Sequence, residues 1–183
     1  MSNPDSQGEN LIKLYQIELK EPIQAHNVPN NVLTGSPKDS LPVFVTQNLI
    51  AELILSTKSY KETIGILTGQ FCESNEKKWL HISGYISGEC IKSSRTSVHL
   101  TCDDWQNIDK RLLRDFPSER IVGWYHSHPG FGAFLSTDDL FVHRHFFDLE
   151  WYVALVIDPF QNQLKIFQWQ NGIIVEGTFF DAD

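Results

Sequence analysis

Two histidines and an aspartate in one short segment form a candidate metal site. His126 and His128 are separated by a single residue, and Asp139 follows in the same segment, shortly after Ser136. Imidazole nitrogens and a carboxylate oxygen are ligands that a catalytic zinc ion takes from a protein, with water in the remaining position. The residue types therefore predict a three-ligand zinc site that leaves one position open. A His-x-His pair by itself also arises by chance, so the pair alone does not establish the site.

The elements around these residues can bring the ligands together. A strand predicted over 120–125 runs into the His-x-His segment, so the side chains of His126 and His128 are expected on one face. A helix predicted over 137–147 places Asp139 in its first turn, where a carboxylate suits the positive end of the helix dipole. The glycines between the two elements allow the chain to turn sharply.

Peptide chemistry at such a site also needs a general base. Zinc lowers the pKa of its water from about 15.7 to about 7, but a nearby carboxylate must take the proton and pass it to the leaving amine. Glu62, at the start of a strand predicted over 62–68, is the best candidate. An acid at the edge of a sheet is the plainer interpretation of this residue, and the pattern alone favours it.

The remaining histidines do not add a ligand set. His143 and His145 are two apart on the predicted helix, about 200° around its axis, so they cannot bind one ion jointly. We expect them at the surface or behind the ligands, where His143 could orient the Asp139 carboxylate. Ordinary loop or strand positions are expected for His26, His81 and His99.

Local patterns predict a central β-sheet with two or three helices against it, an α+β (mixed α/β) fold. One helix is predicted over 47–59 with Thr46 as its cap, and another over 101–116 opened by a capping box of Thr101 and Asp104. Further strands are predicted over 79–86, 95–100, 151–157, 163–169 and 172–180, with turns at Asp158-Pro159 and Asn171-Gly172.

The N-terminal part differs in composition from the rest. Residues 1–42 are interpreted as an arm that is partly disordered, with a polar start, a possible strand over 11–19 and a proline-rich stretch over 21–42. Residues 43–183 are predicted to form the folded domain.

Composition restricts the function classes. The 183-residue chain has a net charge of −8, so it offers no basic surface for nucleic acid. Its three cysteines form no CxxC pair, and no leader or membrane-length apolar run is recognised. We therefore expect a cytoplasmic protein that binds neither nucleic acid nor a membrane.

The chain resembles the JAMM (MPN+) metalloprotease family, which includes the deubiquitinases of the proteasome lid. The family pattern is Glu, a long gap, His-x-His-Pro, a Gly-rich turn, Ser, two residues and Asp. Glu62, His126, His128, Ser136 and Asp139 match it, from about Val43 onward. The strand Glu62-x-x-Gly65-x-Leu67-x-Gly69 and the segment 156–159 are similar to family landmarks.

This resemblance implies a fold, a cofactor and a reaction. The fold would be an MPN domain, a cytidine-deaminase-like curved β-sheet flanked by helices. His126, His128 and Asp139 would hold Zn²⁺, Glu62 would be the general base and then acid, and Ser136 would stabilise the oxyanion. The bond cut would follow the C-terminal glycine of ubiquitin or a ubiquitin-like protein, in deconjugation or precursor maturation. E1- and E2-like enzymes of the same pathway are further expected partners.

Departures from the family pattern are few. Ala133 and Phe134 stand where the family often has Cys or Ser and Trp, and the short turns after Asp139 leave no room for a long second insertion, as in compact prokaryotic members. Segment 84–100 could pair with an extended substrate tail or be an ordinary connection. Phe131 and Phe134 could line the tail groove or pack beneath the loop.

Alternatives to the isopeptidase remain open. The chain could be a non-catalytic MPN scaffold that binds a partner subunit, although such members usually lack one or more metal ligands. A non-haem iron enzyme would use the same two histidines and carboxylate. The substrate could also be a peptide or amino-acid conjugate of a carrier protein.

Overall fold

The computed structural model describes residues 23–24, 41–46, 48–74, 76–88 and 102–182. Three helices lie within these ranges: α1 (Leu49–Ser56), α2 (Cys102–Asp115) and α3 (Thr137–Phe146). The strands are β1 (Ile23–Gln24), β2 (Val43–Thr46), β3 (Ile64–Ser74), β4 (Lys77–Ser87), β5 (Arg120–Ser127), β6 (Val153–Asp158), β7 (Gln163–Gln170), β8 (Ile173–Gly177) and β9 (Phe179–Ala182).

All of these strands belong to one mixed sheet in the order β8-β7-β6-β5-β3-β4-β2-β9, with β1 paired to the far end of β3. β3 is antiparallel to both β4 and β5, whereas β5 and β6 are parallel and are connected through α3. A parallel pair needs such a crossover because the chain must return to the same end of the sheet. The α+β architecture expected from the sequence is confirmed.

The central strands are the most deeply buried. Every residue of β6 is buried, and β5 is buried from Ile121 to its end. Strands covered on both faces carry continuous apolar runs instead of alternation, which is the pattern of Val153–Ile157. Leu49 and Leu53 of α1 and Ile108 and Leu112 of α2 pack into the same core, as do many sheet residues.

The sheet is curled, and its two end strands, β8 and β9, are neighbours in the sequence. β8 is one end of the strand order and β9 the other, yet only Thr178 separates them. The expected single strand over 172–180 was therefore wrong, because the segment changes partners from β7 to β2 at this residue. β9 helps to cover a small second core of Phe44, Cys72 and Trp79 with Phe180.

Most other elements lie near their predicted positions, with shifted ends. The helix expected over 47–59 is shorter, and Thr46 is not its cap: Asn48 occupies that position with a φ of 71°. The Thr46 hydroxyl instead hydrogen-bonds the Nε2 atom of His81 at 3.0 Å. The hairpin turn at Asn171-Gly172 is confirmed, since both residues have positive φ.

Some predictions fall outside the described residues: the strands over 11–19 and 95–100, and the Thr101 cap. The boundary between an arm over 1–42 and a domain over 43–183 stays a prediction, although Ile23 and Gln24 of that arm pair with β3. In the ranges that the structure describes, the helices are too short or too polar to cross a lipid bilayer.

Candidate metal centre

Strands β3 and β5 position Glu62 beside the His-x-His segment. Ile64 pairs with His126, and the contact continues beyond β3: the Ser127 N–H donates to the Thr63 carbonyl at 2.9 Å, and the Thr63 N–H donates to Ser127 Oγ at 3.0 Å. Continuing this antiparallel register by two residues brings Glu62 opposite His128, on the face that His126 shares. Thr63 and Ser127 thus anchor the candidate base next to the candidate ligands.

The segment after His128 is held by a buried carboxylate that sequence analysis assigned only to a turn. Asp158, at the end of β6, accepts backbone N–H groups of Gly130 at 3.0 Å and Gly132 at 2.6 Å, and those of Phe160 and Gln161 at 2.9 and 3.0 Å. Burial alone would raise the pKa of Asp158, but these donors lower it below its usual value. In the sequence, an aspartate before a turn indicated only the turn. Its hydrogen bonds with Gly130 and Gly132, far back in the chain, left no local signal.

The two glycines that Asp158 contacts have backbone conformations that other residues rarely adopt. Gly130 and Gly132 have φ values of 85° and 88°. The absence of a Cβ atom permits these angles at little cost. The carbonyl of Gly132 lies 3.3 Å from His128 Nδ1. Donation from Nδ1–H to this carbonyl leaves the Nε2 lone pair of His128 free to face the other ligands.

Helix α3 begins with a capping box that fixes Asp139. The Ser136 N–H donates to Asp139 Oδ2 at 2.7 Å, and the Asp139 N–H donates to Ser136 Oγ at 3.2 Å. These reciprocal bonds satisfy two donors at the helix start and hold the carboxylate in one orientation. The Ser136 hydroxyl accepts in this pair, so its own proton is available to another acceptor.

The three predicted ligands converge on one point. The Nε2 atoms of His126 and His128 are 3.1 Å apart, and Asp139 Oδ2 lies 3.3 Å from the first and 3.6 Å from the second. A tetrahedral zinc ion with bonds of about 2.0–2.1 Å separates its ligand atoms by about 3.3–3.4 Å. The observed separations bracket that value, so the donor set fits the ion in both chemistry and spacing.

The charge states suit a cation. Burial lowers the pKa of His126 and so favours the neutral imidazole that binds metals. Burial alone would raise the pKa of Asp139, but the imidazoles of His126 and His128 beside it hold it well below the usual range, so this side chain is a carboxylate. Burial would lower the pKa of His128, yet the neighbouring Asp139 and Glu62 raise it, which shows that these two acids stabilise positive charge at this position.

The charges of the candidate ligands also affect the pKa of Glu62. Its pKa is raised by burial, lowered by the charge of His128 and raised again by that of Asp139. A carboxylate with a raised pKa holds a proton more readily than an ordinary one, which suits a group that must accept and then release a proton. The plainer interpretation, an acid at the sheet edge with no relation to the histidines, does not account for this proximity.

Phe131 and Phe134 lie on the exposed side of the loop. They are 69% and 47% exposed, so neither packs beneath it, and the Phe134 ring lies 4.8 Å from the His128 ring. A role in lining a substrate groove stays a prediction. Of segment 84–100, residues 84–87 belong to β4 and pair with β3, and the part beyond residue 88 lies outside the described ranges.

His143 lies behind the ligands, one of the two positions expected for it, but its expected contact with Asp139 was wrong. The side chain is fully buried, not at the surface, and its Nδ1 accepts a hydrogen bond from Trp124 Nε1 at 3.0 Å instead of orienting Asp139. Packing of α3 onto the sheet, which local periodicity does not reveal, places it there. His145 is exposed, as expected, and its Nδ1 lies 2.8 Å from the Phe141 carbonyl.

The chain is similar to a known protein family and to several of its members. The profile of the family described as "JAB1/Mov34/MPN/PAD-1 ubiquitin protease" matches residues 40–150. The 26S proteasome regulatory subunit RPN11 of Encephalitozoon cuniculi is 53% identical over 110 residues, 55% of this chain and 34% of that protein. The ubiquitin carboxyl-terminal hydrolase RPN11 of Saccharomyces cerevisiae is 49% identical over 108 residues, 55% of this chain and 32% of that protein.

Other similarities are more limited. The NAD(+) hydrolase TcpA of a Theionarchaea archaeon is 42% identical over 72 residues, 39% of this chain and 22% of that protein. The matches thus span at most 34% of the length of these three relatives. The solution structure of protein DSY2949 from Desulfitobacterium hafniense has a TM-score of 0.57 and 17% identity, covering 77% of this chain and 93% of that one. This last similarity concerns the fold.

Proposed function

The chain belongs to the JAB1/Mov34/MPN/PAD-1 ubiquitin protease family, and from that premise we propose that it is a zinc-dependent isopeptidase. Its substrate is a ubiquitin-like protein, cut after the C-terminal glycine in a conjugate or a precursor. The observation that carries this proposal is the convergence of His126, His128 and Asp139 at separations of 3.1–3.6 Å, beside Glu62. Such a set is what a hydrolytic zinc centre requires.

Each residue has a defined task in the proposed reaction. His126, His128 and Asp139 would hold a zinc ion, which would supply Lewis acidity at the site. Glu62 accepts a proton from the attacking water and delivers it to the departing amine. The Ser136 hydroxyl, which already accepts from Asp139, donates its proton in a hydrogen bond to the carbonyl oxygen as negative charge develops there.

The substrate class rests on the relatives. The yeast relative is named as a ubiquitin carboxyl-terminal hydrolase, and a flexible C-terminal tail is the part of a folded modifier that can reach a centre with buried ligands. The match to the NAD(+) hydrolase spans 22% of that protein, too little to assign its activity to the shared segment. E1- and E2-like enzymes that handle the same modifier are proposed partners.

The alternative is a non-catalytic scaffold that binds a partner subunit. A scaffold does not need a metal set, and nothing in that role would require Glu62 next to His128. The complete set of family residues therefore favours the enzyme.

Metal analysis and a cleavage assay on the same preparation test the proposal. Protein purified without added metal should contain about one zinc per chain and should cleave ubiquitin from a fusion joined through its C-terminal glycine. Glu62→Gln should keep the zinc and lower kcat by about 10²–10⁴-fold. His126→Ala should lose both zinc and activity, whereas Glu52→Gln, at an exposed position of α1, should change neither.

Each other outcome has a definite meaning. Cleavage that persists in Glu62→Gln would contradict the assigned base. Iron in place of zinc would indicate a non-haem iron centre, and zinc without cleavage would contradict ubiquitin as the modifier. Protein with neither metal nor activity would support the scaffold.

A further inference from the structure

His126 lacks the hydrogen bond that usually orients a metal-binding histidine. Its Nε2 faces His128 and Asp139, while its Nδ1 is buried and has no hydrogen-bond partner within the described part of the chain. A histidine that binds a metal through one nitrogen normally donates its other N–H to a carboxylate, carbonyl or water, which fixes the ring. Another contact must therefore hold this ring in place.

That contact is an aromatic stack. Trp124 precedes His126 by two residues on β5, so both side chains are on the same face of the sheet. The two rings are nearly parallel, with centroids 4.7 Å apart and an interplanar angle of 13°. Trp124 is 1% exposed and also stacks on Phe147 at 5.8 Å. The plane of the His126 ring is thus set by the plane of the indole.

The indole is in turn fixed by His143. Its Nε1–H donates to His143 Nδ1 at 3.0 Å, and the His143 ring lies against Trp169 at a centroid distance of 5.4 Å and an angle of 17°. Burial lowers the pKa of His143 to about 4, so the ring is neutral near pH 7 and its Nδ1 can accept. The indole nitrogen can only donate a hydrogen bond, and leaving its N–H buried without an acceptor costs about 1–3 kcal/mol.

Helix α3 carries both the candidate ligand Asp139 and His143, which holds the indole. Asp139 and His143 are one turn apart on α3, at positions whose side chains lie on one face of a helix. The helix therefore sets the position of the carboxylate directly and that of the His126 imidazole through Trp124.

We propose that Trp124 and His143 are positioning residues that orient His126 for metal binding through the stack and the indole hydrogen bond. This proposal rests on the proposed function in that it requires the metal. It assigns the two residues a role in the affinity and geometry of the centre and none in the chemical steps.

The test compares two replacements of His143 in the full chain. Glutamine retains an acceptor for the indole N–H, whereas leucine has none. Zinc affinity is measured by competition with a chromogenic chelator, and the visible absorption spectrum of the Co²⁺-substituted protein reports coordination geometry. His143→Leu should bind zinc about 10–100-fold more weakly, with an altered Co²⁺ spectrum. His143→Gln should stay within about threefold of wild type, and so should His145→Leu, the same change at an exposed position of α3.

Trp124→Phe provides an independent route to the same conclusion. It keeps a ring beneath His126 and removes the indole N–H, so it should weaken zinc binding about as much as His143→Leu. The zinc affinity of the double variant should fall no further than that of either single variant, because both changes remove the same Trp124–His143 hydrogen bond. The melting temperature of the metal-free proteins shows that each variant is folded.

Three results would overturn the inference. Wild-type affinity and spectrum in a folded His143→Leu protein would show that the hydrogen bond does not act on the centre. Equal losses in the glutamine and leucine variants would show that only packing is involved, and additive losses in the double variant would separate the two residues. Wild-type protein that binds no zinc would instead refute the proposed function, and the inference with it.

Discussion

Ser136 has two tasks that point mutations can separate. As N-cap it satisfies the Asp139 N–H, and as a hydroxyl donor it is proposed to stabilise the oxyanion. Ser136→Ala should lose about 1 kcal/mol of stability, whereas Ser136→Gly should lose only a few tenths, because glycine is itself a tolerated cap. Both should lower kcat about 10²-fold, since both lack the donor.

Melting temperature and turnover of the fusion substrate, measured side by side, check this prediction. Normal turnover in Ser136→Gly would show that the hydroxyl only caps the helix.

His143 should make the stability of the folded protein depend on pH. Its pKa falls from 6.5 to about 4 on burial. Between these values the unfolded chain binds a proton that the folded protein does not, so acid favours unfolding. The stabilisation is complete above pH 6.5 and is lost as the pH falls toward 4, by roughly 3 kcal/mol in total.

Urea unfolding of the metal-free wild type and of His143→Gln at several pH values measures this effect. The difference in unfolding free energy between them should shrink as the pH falls from 7 to 4, because the other titrating groups are common to both. A difference that does not vary with pH would contradict the assigned pKa.

For individual residues, the sequence predicted which side chains come together better than it predicted their surroundings. His126, His128 and Asp139 were chosen from residue type and spacing, and they do converge. The burial of His143 and its bond to Trp124 depend on how α3 packs against the sheet. Spacing along one helix carries no information about a partner on a strand.

Among the elements, the loop between β5 and α3 depends most on a single residue. Asp158→Asn keeps one oxygen for the three N–H groups that Oδ1 accepts, but it removes the charge and sets an N–H₂ group against the Gly132 N–H, which Oδ2 accepts. We expect the variant to lose about 2–3 kcal/mol of stability, because hydrogen bonds to a charged acceptor are the stronger ones. Zinc affinity should also fall at least about tenfold, since the His128 ring is oriented by its contact with the Gly132 carbonyl in this loop.

Chemical denaturation and chelator competition provide the two measurements. Asp181→Asn, at an exposed position of β9, is the matched control and should change neither. Unchanged zinc affinity in a destabilised Asp158→Asn protein would mean that the loop does not help to place His128.

Local patterns located the elements but not what lies beyond their ends. Apolar spacing indicated α1 and turn chemistry indicated the bend at Asp158. Thr46, the best capping residue in sequence, instead pairs with His81, a partner on a different strand. The four donors to Asp158 include two from a loop far back in the chain. Such choices are settled by tertiary contacts and not by propensity.

For the whole molecule, the closing strand β9 is expected to govern stability but not the metal centre. Phe180 lies 5.6 Å from Phe44 and covers the small second core, away from the strands that carry the ligands. Phe180→Ala should cost about 2 kcal/mol, the value of one largely buried large apolar side chain. While the protein is folded, zinc affinity should not change.

Thermal unfolding of the variant, together with zinc titration at a temperature where it is fully folded, checks this expectation. A loss of affinity in the folded variant would show that the second core and the metal centre are coupled.

The architecture was predictable as a class because central strands and amphipathic helices leave local signals. The change of partner at Thr178 was not, since residues 172–180 have the same extended pattern whether they pair with one strand or two. Alternation identifies a strand and says nothing of its neighbour.

The position of β9 also has a kinetic consequence. Strand β2 meets β9 in a pairing that joins Val43 to Phe179, among the most distant contacts along this chain. Contacts of such long range form slowly, because the intervening chain must first be ordered. We therefore expect the edge of Val43-Phe44-Val45 that pairs with β9 to stay open late in folding, when unpaired strand edges promote aggregation. Closure of the sheet, more than assembly of the metal centre, is then the step at which a chaperone would protect this protein.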